Sequence, residues 1–364
     1  MLYRDIYIAC RCYNISWSFP VKNSLLLGAV SVLGLAGAAN AEVPSVAADI
    51  PPVHSLVAIV MDGVGTPDLL VQPGASPHGY SLRPSEAEAL DRADVVFWVG
   101  EALEPWLEGP LAALASDAIT VELMESEGTT ELPFREGVTF EKHSHAHDHG
   151  EAHDDHDEGE DHAEDDHDGH DDGHDDGHDH GHDDGHAEHD HDGHGHDPHA
   201  WLDPENARVW LDLIAATLSE VDPENAATYR ANADAGRAQL EEMIGRIEAE
   251  LDPIRGKNFV VFHDAYQYFE TRFGLAATGS IKLGDATDPS PARIEEIHQK
   301  IKDLSVECVF SEPQFNPGLV KTVFRGTDAK IGVIDPLGAD LTPGPDLYPD
   351  LMVNVAASLK DCLD

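Results

Sequence analysis

Positive charge is what this sequence most lacks. Against 70 Asp and Glu stand only 22 Lys and Arg, a formal net charge of −48 with His neutral. Such a chain repels nucleic acid and anionic membrane surfaces and attracts cations. Cysteine is scarce too. Of the four, Cys10 and Cys12 fall in or before an N-terminal export signal, which leaves Cys308 and Cys362. In an exported protein such a pair reads as one disulfide, contributing about 4 kcal/mol in the chain-entropy model, with two free buried thiols as the other reading. The apolar run near the start, Leu25 to Leu35, is too short to cross a bilayer. An H-E-x-x-H helix and a second carboxylate motif are both missing, which leaves a zinc hydrolase without its general base.

That apolar run follows Lys22 and ends in Ala39-Asn40-Ala41, so residues 1–41 read as a signal region cut after Ala41. No Cys follows it to carry a lipid anchor. The residues before Val21 fit no signal design, which leaves two readings of the translation start, Met1 and Val21. The mature chain, about 320 residues, is long enough for two domains.

Histidine, in contrast, is abundant and concentrated. Of 23, 18 lie in one run: His143, His145, His147, His149, His153, His156, His162, His167, His170, His174, His178, His180, His182, His186, His189, His191, His194 and His196. Between them stand Asp, Glu and Gly, with almost nothing apolar. A run of this kind cannot bury enough surface to offset its ordering entropy and is expected to be disordered. A solvated acidic loop would explain the charge but not the repeated Asp-Gly-His and Gly-His-Asp units. Neutral imidazole binds zinc, copper and nickel, so the run reads as auxiliary metal sites. Deleting Ser144 to Asp197 is expected to spare the fold and the tightest site.

Outside the run, strand and helix signals alternate. Strands are expected at Ser45–Ile50, Asp68–Val71, Val95–Val99 and Ala118–Leu123. Helices are expected at Val53–Met61, Ser85–Arg92 with Ser85 as cap, and Leu103–Ala115. After the run, Asp203-Pro204-Glu205 starts a helix to about Val221, and Asp222-Pro223-Glu224 starts a longer one to Leu251, a stiff strut. A second α/β unit then follows: strands Phe259–Phe262, Val306–Phe310 and Lys330–Ile334, and helices Ala265–Phe273, Pro291–Leu304, Pro317–Arg325 and Leu347–Leu363. The expected fold class is α/β, with two doubly wound lobes of parallel sheet joined by a long rigid helix. The expected divisions are an N-terminal lobe over 42–222 carrying the His-rich loop 141–197, the linking helix over 223–252, and a C-terminal lobe over 253–364.

Five histidines lie outside the run. His78 is in the loop after Asp68–Val71, His263 directly follows Phe259–Phe262, and His199 precedes a capped helix. Asp335 holds a like place after Lys330–Ile334. Open α/β sheets bind ligands beyond the carboxyl ends of their strands. His78, His199, His263 and Asp335 therefore make a cleft site for a first-row divalent metal, and three imidazoles favour Zn(II). His54 and His298 lie in helices and read as packing or surface residues, Asp203 and Asp264 as helix caps.

Four segments carry a resemblance. They are Gly74-Ala75-Ser76-Pro77-His78-Gly79-Tyr80-Ser81-Leu82-Arg83-Pro84; Pro198-His199-Ala200-Trp201-Leu202-Asp203-Pro204; Val261-Phe262-His263-Asp264-Ala265-Tyr266-Gln267-Tyr268-Phe269; and Glu312-Pro313-Gln314-Phe315. Over the whole mature chain the sequence resembles periplasmic zinc-binding proteins of the ZnuA type, in the cluster A-I metal-binding family of ABC transporters. The resemblance implies two α/β lobes joined by a rigid helix, metal in the cleft, and delivery to a membrane permease driven by an ATPase. It also implies a His-rich loop ahead of the second His ligand and a Cys308–Cys362 disulfide. Some relatives carry Glu just before the first ligand, where this chain has Pro77, and the fourth ligand varies in the family between an acid and water. Manganese-binding relatives use a carboxylate at the third position; His263 there tips preference toward zinc. The expected function is a periplasmic solute-binding protein of a zinc ABC importer, a monomer and not an enzyme. A periplasmic zinc buffer acting through the His-rich loop is the alternative.

Overall fold

The computed structural model describes residues 43–135, 195–282, 290–315, 318 and 326–364. The signal region, the run from His143 to His194 and, Gly318 apart, the helix expected over Pro317–Arg325 lie outside the described residues. The N-terminal half runs β1 (Val46–Ala48), α1 (Pro51–Val60), β2 (Asp68–Leu69), α2 (Pro84–Arg92), β3 (Val95–Trp98), α3 (Glu108–Leu114) and β4 (Ile119–Glu122). Two helices follow the His-rich run, α4 (Pro204–Val221) and α5 (Ala226–Leu251). The C-terminal half runs β5 (Phe259–His263), α6 (Gln267–Phe273), β6 (Gly279–Lys282), α7 (Pro291–Asp303), β7 (Cys308–Ser311), β8 (Lys330–Val333) and α8 (Leu347–Leu363).

Each half holds a four-stranded sheet, in the orders β2-β1-β3-β4 and β6-β5-β7-β8, and every pairing is parallel. The two orders are the same, with the first strand of each half between its second and third. The strand order therefore reverses between β1 and β3 and between β5 and β7, where such sheets open a crevice. Every residue of β3 and of β5 is buried, as their apolar runs require when helices cover both faces.

α5 is 26 residues long, roughly 39 Å at 1.5 Å per residue. It packs on α4, α1 and α8. Gly236 permits the close approach: a Cβ there would stand 2.8 Å from Ile59 Cγ2 and 3.0 Å from Leu211 Cδ1. α8 returns from the second lobe to the first, where Tyr348 N donates to Ser55 Oγ (2.9 Å) and Tyr348 Oη donates to the Trp201 carbonyl (2.7 Å). One continuous apolar cluster thus runs from Val46 to Leu363. Cys308 of β7 and Cys362 of α8 form a disulfide, 54 residues apart in sequence.

Several boundaries differ from expectation, each for a local reason. Pro51-Pro52 does not merely end the first strand; it opens α1, because a first-turn residue has no helical use for its missing N–H. α2 begins at Pro84 rather than at a Ser85 cap, and Glu86 reaches back to accept from Arg83 N (2.7 Å). The helix expected from Leu103 begins only at Glu108, since Pro105 disfavours helical geometry in the residue before it. α5 begins after Asn225, with Asp222 accepting from Asn225 Nδ2 (2.7 Å) and Tyr229 Oη (2.9 Å). β6 was not expected at all: Gly279-Ser280-Ile281-Lys282 has one apolar side chain and no alternation to read.

Candidate metal centre

The loop after β2 carries His78. Trp106 Nε1 donates to the Pro77 carbonyl (2.6 Å), and Tyr80 Oη donates to Glu86 of α2 (3.0 Å), so the residues flanking His78 are tied to two other elements. His199 precedes a single 3-10 turn, Ala200–Leu202, ahead of α4. Asp203 caps α4 as expected, accepting from Glu205 N (2.9 Å), and also pairs with Arg272 of α6 (2.7 Å). His263 is the last residue of β5, at the point where the strand order of the second sheet reverses.

These three imidazoles converge. His78 Nε2 lies 3.3 Å and His263 Nε2 3.2 Å from His199 Nε2. A regular tetrahedron of Zn–N bonds near 2.0–2.1 Å requires nitrogen separations of about 3.3 Å. The donor set and its spacing thus suit one divalent ion, with His78, His199 and His263 able to hold it together. His199 and His263 are buried, and the pocket walls are largely apolar, including Pro77, Trp201, Phe315, Pro336 and Leu337.

Two carboxylates orient the rings from behind. Asp197 Oδ1 accepts from His199 Nδ1 (2.6 Å) and from the His199 backbone N–H (3.0 Å). Both oxygens of Glu312, just past β7, lie 2.9 Å from His263 Nδ1. An acceptor at Nδ1 keeps the proton there and turns the Nε2 lone pair toward the centre. Burial pushes the Asp197 carboxyl up to about 7, against the pull of the His199 N–H and the Arg135 charge. Neither role was read from the sequence. In the sequence Glu312 stands only inside a resemblance motif, and composition makes Asp197 the end of the His-rich loop.

Asp335 is not brought into this group. Its Oδ1 accepts from Gln314 Nε2 (2.9 Å) and Leu337 N (3.0 Å), and its Oδ2 from Ala339 N (2.5 Å). Asp264 is no helix cap: it is ion-paired with Arg135, and α6 begins three residues later. Burial raises the Asp264 carboxyl to about 6 despite that partner. His54 is buried in α1, with Nε2 against the Pro67 carbonyl (3.1 Å), a packing residue as expected. Of the run's histidines only His196 is described; its Nδ1 lies 2.7 Å from Glu131 Oε2.

The first sheet has the same crevice but a different occupant. Asp49, just past β1, accepts from Ile50 N (2.6 Å) and Val99 N (2.5 Å) and faces Glu104, and both carboxyls are fully buried. No metal-ligating set gathers there among the described residues.

Two parallel-sheet lobes, a long helix between them and three imidazoles in the cleft define a two-lobed, metal-binding solute-binding protein. The chain belongs to the family of the periplasmic component A of the zinc-uptake complex, whose model matches residues 46–362. It is 52% identical over 342 residues to the high-affinity zinc uptake system protein ZnuA of Brucella abortus (strain 2308), covering 94% of this chain and 98% of that protein. To the protein of the same name from Paracoccus denitrificans (strain Pd 1222) it is 44% identical over 343 residues, with the same coverage. A crystal structure of ZnuA shares the fold, with a TM-score of 0.66 at 22% identity, over 89% of this chain and all of that one.

Proposed function

We propose that this chain is the periplasmic solute-binding component of a high-affinity zinc ABC importer. It captures Zn(II) between its lobes and presents it to a membrane permease driven by an ATPase. His78, His199 and His263 are the protein ligands, each through Nε2, and a water molecule takes the fourth position while Asp335 holds its own loop. The observation that carries this reading is the spacing of the three Nε2 atoms, 3.2 and 3.3 Å about His199, with a carboxylate behind two of the rings. Zinc here is cargo, so three neutral imidazoles in a partly apolar pocket, with water at the fourth position, suit reversible capture. The family and the zinc-uptake relatives support the same reading. Export to the periplasm and removal of residues 1–41 belong to it, as does the division into lobes over 42–222 and 253–364.

Deletion of the gene tests it. Growth in chelated medium should fail and be restored by added zinc or by the wild-type gene, but not by a His78→Ala, His199→Ala, His263→Ala triple variant. Normal growth of the deletion strain under chelation, with a defect only in excess zinc, would instead make the protein a buffer.

A further inference from the structure

The two ends of the His-rich run meet the rest of the molecule at an unexpected place. Pro133 and His196 form an antiparallel bridge, and Asp197 N donates to the Leu132 carbonyl (2.8 Å). This stem leaves the N-terminal lobe after β4, yet its anchors are on the C-terminal lobe. Tyr268 Oη of α6 accepts from Leu132 N (2.9 Å) and donates to the Asp197 carbonyl (2.8 Å). The Gln267 side-chain amide, with its nitrogen toward the stem, donates to the Pro133 carbonyl and to Asp197 Oδ2, each at 3.2 Å. The Arg135 guanidinium pairs with Asp264 and, at 2.8 Å, with Glu270 of α6. Asp264 is the neighbour of His263, and Arg135 and both acids are largely buried.

Asp197 is where this stem enters the site. Its Oδ1 grips both His199 Nδ1 and the His199 N–H. His199 is in turn the middle imidazole, the one whose Nε2 lies within 3.3 Å of each of the other two. We propose that Asp197 is a positioning residue for zinc capture, and that the clip of Arg135 onto Asp264 and Glu270 sets its place, so that the C-terminal lobe fixes the central ligand through the stem of the His-rich run. This inference rests on the three-histidine reading above.

Without an acceptor at Nδ1, the His199 ring is free to carry its proton on Nε2, the nitrogen the metal needs. Loss of an outer partner of a metal-bound histidine costs about 10–100-fold in affinity. The test compares full-length wild type with Asp197→Ala, Asp197→Asn, Arg135→Met and His199→Ala. Zinc affinity is measured by chelator competition and the ring ¹⁵N shifts of His199 in zinc-free protein by NMR. Asp197→Ala should bind zinc about 10–100-fold more weakly and move the His199 proton toward Nε2. Asp197→Asn, which keeps the size of the side chain and guards against a folding defect in the alanine variant, should weaken binding in the same direction. Arg135→Met should shift both readouts the same way by less. If Asp197→Ala and Asp197→Asn bind within twofold of wild type, with unchanged ¹⁵N shifts, while His199→Ala loses the tight site, the positioning role is overturned and the ligand reading stands. If His199→Ala also binds like wild type, the ligand reading fails first and the positioning role goes with it.

Discussion

Replacing Glu104 by Gln should make the metal-free protein more stable at neutral pH, and the gain should grow as pH rises. Glu104 and Asp49 are fully buried and face one another. Among the described residues Glu104 meets no other hydrogen-bond donor, whereas Asp49 accepts from two backbone N–H groups. Two adjacent buried carboxyls cannot both ionise, so they share a proton. Asp49, better supplied with donors, is raised to about 6, chiefly by burial. Glu104 is raised well above its ordinary 4.5, by burial first and by the Asp49 charge second. The folded state therefore keeps a proton on Glu104 that the unfolded state gives up above about pH 4.5. Stability falls with pH wherever the native state binds more protons, by about 1.4 kcal/mol per pH unit for one proton. The wild type should therefore lose stability as pH rises, a loss that begins near pH 4.5 and continues to the folded pKa of Glu104. Gln cannot ionise, and its amide nitrogen can donate to Asp49 as the protonated Glu104 does. Urea unfolding of both proteins in chelator at pH 5, 6, 7 and 8 reads the difference free of zinc linkage. A difference that stays flat across that range would show that the pair holds no shared proton.

Three further outcomes follow from named contacts. Deleting Ser144 to Gly193 should leave the tightest zinc site unchanged by calorimetry, whereas a deletion that runs on through Asp197 should weaken it about 10–100-fold, because Asp197 supports His199. Replacing Cys308 and Cys362 together by Ser should cost about 4 kcal/mol in denaturant unfolding, the chain-entropy value for a bridge across 54 residues. Gly236→Ala should destabilise the protein by about 1–2 kcal/mol in the same assay, since the new methyl meets Ile59 and Leu211 at overpacking distance and this exceeds the gain in helix propensity.

The parts of this molecule that were legible in the sequence are those with local signals. Apolar runs placed β3 and β5, and Asp203-Pro204 placed the start of α4. The ends of strands point to His78 and His263, because a parallel sheet leaves its functional groups there, and the start of a capped helix points to His199. The parts that were hidden depend on contacts distant in sequence. Glu312 meets His263 across 49 residues, and Arg135 meets Asp264 across 129. Asp335 looked equivalent to the histidines by its position after a strand, but its short side chain is taken up by its own loop and Gln314. Composition places Asp197 in the run, although its backbone already belongs to the buried stem. The weak β6 shows the same limit, since neighbours rather than its own residues make it a strand.

The central claim is that three imidazoles, and not the His-rich run, make the tight site. The most direct measurement is zinc affinity by chelator competition, with X-ray absorption at the zinc edge, on protein lacking Ser144 to Gly193. One zinc should bind tightly, with three imidazole nitrogens at about 2.0–2.1 Å. His78→Ala, His199→Ala and His263→Ala should each weaken it by more than the loss of an outer partner does. A triple variant that still binds one zinc as tightly as its parent, or a spectrum without imidazole in the first shell, would contradict the account.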